Sequence, residues 1–96
     1  VGEPYHGYIY RLLEGQGPNA RGGAYSYMVG DKMLGGFALI AFPADYGNSG
    51  VMSFIVSHDG IVYSRDLGEK TTEVAEAIEL FDPDDLWKRE ATIDEN

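Results

Sequence analysis

The sequence predicts an α+β domain: an antiparallel β-sheet meander of about five strands with one C-terminal helix packed on a face. Three observations lead there. Short apolar runs alternate with period two along most of the chain, and alternating side chains line the two faces of a strand. Glycine, proline and Asp-Gly punctuate those runs; 13 glycines and 7 tyrosines suit tight turns and pleated, half-buried surfaces. Only Thr71 to Phe81 switches to a helical period.

"YHGYIYRLL" (Tyr5 to Leu13) reads as the first strand, with His6, Tyr8, Tyr10 and Leu12 on one face and Tyr5, Ile9 and Leu13 on the other. Bulk on both faces predicts a central or covered strand. "EGQGPNARGG" (Glu14 to Gly23) is a loop by composition. "AYSYMV" (Ala24 to Val29) alternates again, meets Gly30-Asp31, and forms a predicted hairpin with "MLGGFALIAF" (Met33 to Phe42). Gly35-Gly36, inside that second strand, predicts a bulge or the close approach of another backbone such as the packed helix. "PADYGNSG" (Pro43 to Gly50) is the next loop.

Val51 to Ser57 and Ile61 to Asp66 flank Asp59-Gly60, and "DG" between alternating apolar runs is a strong hairpin signal. In the helix, Val74, Ala77, Ile78 and Phe81 fall on one stripe and are expected to face the core. Thr71 or Thr72 is expected to cap its start, with Glu73 suiting the dipole. Asp82 followed by Pro83 predicts a second N-cap and a short turn carrying Leu86 and Trp87 to the core. The tail, "KREATIDEN", has no periodicity and is expected to fray. The second face of the sheet is expected to be covered by Tyr rings and loops, or by a segment of a parent chain.

The 96 residues make one domain, 1–96. Because the chain begins "VGEPYHGY", without Met or a charged-then-apolar leader, it is expected to be a fragment or processed C-terminal domain of a longer exported protein. Net charge is −9. Six acids against four bases up to Gly68 give −2, and ten against three from Glu69 onward give −7. No cluster of Lys and Arg exists to meet phosphates, so nucleic acid and anionic membrane are poor partners. The absence of cysteine removes disulfides, thiolate nucleophiles and Cys-ligated zinc. No apolar run approaches the ~20 residues that cross a bilayer.

"YHGY", "QGPNA.GGA", "GGFALIA.PA.YG.SG" and "DG.VY..DLG", followed by "FDPDDLW", make the chain from about Pro4 to Trp87 resemble the C-terminal part of a bacterial family. That family is catalogued as a domain of unknown function (DUF 2950), and its members are exported, usually with a signal sequence. The resemblance implies a periplasmic or extracellular location in the bacterial envelope. It supplies no catalytic residues. A weaker likeness in architecture links the meander to pilin and pseudopilin globular domains.

Candidate chemistry is sparse. Ser57, His58 and Asp59 offer the residue types of a nucleophile, base and orienter, yet neighbours on a tight turn point apart and no G-x-S-x-G elbow is present. Asp82, Asp84 and Asp85 could attract Ca²⁺, but their spacing is not that of an EF-hand and Pro83 favours capping. No catalytic residue, metal ligand or cofactor is assigned. The candidate ligand- or partner-binding residues are His6, Tyr8, Tyr10, Gln16, Asn19 and Arg21. The tyrosines beyond these serve either sheet packing or an interface, since Tyr buries a ring while keeping its hydroxyl wet. The first reading is therefore a non-enzymatic protein-binding or assembly module, its partner another envelope protein or the missing N-terminal region of the same protein. The rivals are a hydrolase acting on an envelope component, with His6 and the Gly-rich loop lining a cleft, and a small-ligand sensor with an apolar pocket beneath Gln16 to Gly23.

Overall fold

The computed structural model describes residues 6–92; Tyr5, assigned above to the first strand, and residues 93–96 of the tail lie outside the described residues. The chain runs β1 (Tyr8–Leu13), β2 (Gly15–Gln16), β3 (Tyr25–Ser26), β4 (Met28–Val29), β5 (Lys32–Met33), β6 (Ala38–Pro43), β7 (Met52–Ser57), β8 (Ile61–Asp66), α1 (Thr71–Ala77) and β9 (Lys88–Thr92). The five longer strands form one antiparallel sheet in the order β1-β6-β7-β8-β9. The α+β meander is as the alternation predicts.

Its membership differs from expectation in two places. The Ala24–Val29 segment is not a sheet strand. It splits into β3, paired with β2, and β4, which turns at Gly30-Asp31 into β5. Tyr27 lies between them, its N–H donating to Glu14 O (2.8 Å) and its own O accepting from Gly35 N–H (2.8 Å). Those bonds hold the completely buried ring of Tyr27 over the core. β1 instead pairs directly with β6, and the fifth strand is the tail, at the opposite edge of the sheet. Lys88–Thr92 does not fray; it pairs with β8 as Ser64↔Lys88, Tyr63↔Arg89, Val62↔Ala91 and Ile61↔Thr92, with a bulge at Val62/Tyr63. Pairing satisfies the outer edge of β8, and charged residues on the new edge discourage further strand addition.

The hairpin of β7 and β8 turns through His58–Gly60, with Gly60 N–H donating to Ser57 O (2.9 Å) and Gly60 at φ 81°. Positive φ at that position is the backbone conformation that glycine adopts without a steric penalty.

Strand alternation divides the sheet. Ile9, Arg11 and Leu13 of β1, Ala38, Ile40 and Phe42 of β6, Ser53, Ile55 and Ser57 of β7, and Tyr63 of β8 share the covered face. With Tyr27, Ala20, Ala75, Phe81 and Trp87 they build the core. The helix stripe is not the expected one. Thr71 and Ala75 are buried, whereas Val74 is 37% exposed and Ala77 also faces solvent. Small Ala75 lets the helix axis approach β6, and Ile78 and Phe81 reach the core from extended backbone beyond the helix. The N-terminus is capped by neither threonine: Lys70 occupies the cap without a side-chain bond, and the Thr71 hydroxyl donates instead to Gly68 O. Leu86 is likewise 62% exposed, so only Trp87 of the expected pair is buried.

Arg11 binds the end of α1. Its Nη2 donates to Ala75 O (2.5 Å), which also accepts from Ile78 N–H (3.2 Å), and to Ile78 O (2.6 Å), at the C-terminal end where helix carbonyls lack their full set of partners. No basic residue lies in the last turn of α1 itself. Arg11→Met keeps the stem and removes these charged bonds. It is expected to cost about 1.5–3 kcal/mol, read by chemical denaturation, with amide exchange accelerating first at Ala77 to Glu79.

Candidate functional site

The face opposite the core is unusual in what it exposes. A solvated face of an antiparallel sheet ordinarily alternates to polar residues. On β7, Met52, Phe54 and Val56 point to this open side while Ser53 and Ser57 point inward with Ile55. Beside them stand Tyr8, Tyr10 and Leu12 of β1 and Leu39 and Ala41 of β6. Polar groups take over on β8, where Ser64 and Asp66 follow Val62 on the same side. No helix or strand among the described residues packs over the apolar part; Tyr10 is 44% and Leu12 59% exposed.

These side chains shape a trough. Tyr8, Tyr10, Leu39, Ala41, Phe54 and Val56 line a concavity of about 350 Å³. A second, of about 400 Å³, continues from Leu39 and Val56 to Phe37 and the His58–Gly60 turn. Small Ala41 forms the low floor. Tyr8 closes the far end, its hydroxyl donating to Met52 O (2.8 Å) and its ring 6.1 Å from that of Phe54. Burial, with Tyr10 nearby as the lesser cause, raises the Tyr8 phenol above its ordinary pKa.

The other candidate residues are placed elsewhere. Gln16 is buried, its Nε2 donating to Arg21 O (2.8 Å) and Gly23 O (2.7 Å) while its Oε1 accepts from the Tyr27 hydroxyl (2.9 Å). It therefore fastens the Gly-rich loop to the core, and Ala20 fills the space beneath that loop. Asn19 donates through its backbone N–H (2.9 Å) and Nδ2 (3.1 Å) to Asp82 Oδ1. Asp82 thus latches the loop and does not start a helical turn; Pro83 and Asp84 continue in non-helical backbone. Asp84 Oδ1 accepts from Leu86 N–H (2.9 Å). Arg21 is exposed, and His6 sits in the turn before β1 at φ 54°. The structure thus joins Tyr8 with Tyr10, and Gln16 with the Asn19–Arg21 loop, but not the two groups with each other. His6 lines neither concavity of the trough.

At the hairpin turn, Ser57 Oγ donates to Asp59 Oδ1 (2.9 Å), which also accepts from Ile61 N–H (3.0 Å). His58 turns to the opposite side. Its Nε2 is 3.3 Å from the Tyr25 hydroxyl, its Nδ1 3.3 Å from Phe37 N, and its ring meets that of Tyr27 edge-on at 5.5 Å. Serine and histidine share no hydrogen bond, so the trio is a turn clasp on one side and a packing ring on the other.

Gly36 makes room for that ring. The expected approach of another backbone is at Gly35, where a Cβ would stand 3.3 Å from Tyr27 O, and it does not come from the helix; at Gly36, in the loop before β6, the close neighbours are the side chains of His58 and Tyr27. A Cβ there would stand 2.6 Å from His58 Cε1 and 3.0 Å from Tyr27 Cδ1, at a φ of 153°. Gly36→Ala is expected to destabilise by about 1–3 kcal/mol. In a His58→Ala background the same substitution should cost less than half as much, which a double-mutant cycle by denaturation measures.

Sequence reasoning missed Phe37, Leu39, Phe54 and Val56 as surface residues. The signal was present: in "MSFIVS" the serines share a face with Ile55, leaving the larger side chains together on the other.

The chain belongs to the family described as "Protein of unknown function (DUF2950)", which matches residues 1–90. No curated protein and no solved structure matches it, and the likeness to pilin-like domains is not confirmed.

Proposed function

We propose, taking membership of this uncharacterised family as the premise, that the chain is a protein-binding module of the bacterial envelope. In this reading it receives a separate envelope protein on the trough of β1, β6 and β7. The envelope setting rests on the resemblance to exported proteins. The carrying observation is the inversion on β7, where Met52, Phe54 and Val56 face outward and two serines face the core. Leaving apolar surface in water forfeits roughly 25 cal/mol per Å², and contiguous exposed apolar patches mark interaction sites.

The preferred partner is a separate protein. Tyr8 already shields part of Phe54. A face that is apolar yet partly self-shielded suits reversible binding. A second copy fits poorly, because each carries a charge of −9.

The test is site-specific photo-crosslinking in the intact protein in its native cells. A photoreactive residue replaces Tyr10 or Phe37 at the trough, or Glu73 on the solvent side of α1 as control. Adducts to one separate envelope protein from both trough positions, several-fold above Glu73, are the expected result. Equal yields from all three positions, or adducts only within the same polypeptide, refute the reading.

A further inference from the structure

We draw no further inference here: the strongest candidate, the concavity beyond the end of α1 where Arg65 lies over Trp87 with Glu79, Asp82 and Asp84 in the lining, rests on an acidic cluster, and nothing in the structure points to a ligand for it.

Discussion

Tyr27→Ala is expected to remove about 3–5 kcal/mol of stability, the cost of truncating a buried aromatic ring. Tyr27 is the largest of the completely buried side chains, and its ring touches those of Tyr25 and His58 edge-on. The truncation also strands Gln16 Oε1, which accepts from the Tyr27 hydroxyl at 2.9 Å inside the core. A domain of this size has about 5–10 kcal/mol in total, so the variant should be largely unfolded at 37 °C by circular dichroism. Tyr27→Phe separates the two contributions. It keeps the ring and leaves one buried acceptor unpaired, so about 1–3 kcal/mol should go. Cooperative unfolding of Tyr27→Ala at the wild-type midpoint would show that the ring is not a keystone.

Alkaline titration gives the same residue a second readout. Burial first, and then the neighbouring Tyr25 and Asp59, push the Tyr27 phenol up to about 12. An unfolded tyrosine titrates near 10. Between those values the folded state holds the proton that the unfolded state releases, so stability is complete below pH 10 and falls as pH rises towards 12. Tyr27→Phe should flatten that alkaline fall. Denaturation midpoints from pH 8 to pH 11.5 measure it, and parallel curves for the two proteins would assign the fall to other groups.

How much of this was legible in the sequence follows from what each signal encodes. Period-two alternation depends on one strand at a time, so β1, β6, β7 and β8 and the turn at Asp59-Gly60 were readable. Register and partners depend on the whole sheet. β9 was not readable, because Lys88 to Thr92 has no alternation of its own and is a strand only because β8 has a free edge. Ala24 to Val29 shows the converse. Its alternation is strand-like, yet Tyr27 is worth more as a core ring bonded to Gln16 than as one residue in a ladder. The helix stripe was misread for a similar reason. Periodicity through Phe81 implied three turns, but the Arg11 guanidinium, 64 residues away from Ala75 in sequence, binds the carbonyls of Ala75 and Ile78, and the chain continues from Ile78 in extended backbone towards the core.

The residues of the apolar trough were half legible. Tyr8 and Tyr10 were identifiable from the tyrosine surplus, and both border the trough. Gln16, Asn19 and Arg21 were singled out because a glycine-rich loop lets backbone approach a bound group. In the fold the glycines instead let the loop wrap Gln16, whose amide spends its hydrogen-bonding capacity on Arg21, Gly23 and Tyr27. Which face of a strand is outward was the missing fact. It is decided by what covers the sheet: α1 packs on β6, and with Tyr27, Phe81 and Trp87 it builds the core on the side of the β7 serines, leaving Phe54 to the other side.

Phe81→Ala is expected to match Tyr27→Ala in size, at about 3–5 kcal/mol, and for a different reason. Phe81 is buried to 1% exposure at a junction where three segments meet. Its N–H donates to Gly15 O (3.0 Å) and its O accepts from Gly17 N–H (2.9 Å), so its backbone bridges to β2 beside the Gly-rich loop. Its ring stands 5.9 Å from that of Tyr63 on β8. The substitution leaves the bridge bonds possible and empties the space between β8 and the loop. The cavity should therefore loosen distant pieces together: amide exchange should rise in Gly17, Ala20 and Tyr63 in the same cooperative step, by the factor that the lost stability dictates. Exchange accelerated only at Leu80 to Asp82 would mean that the segment after α1 opens alone, and that Phe81 does not tie the loop to the sheet.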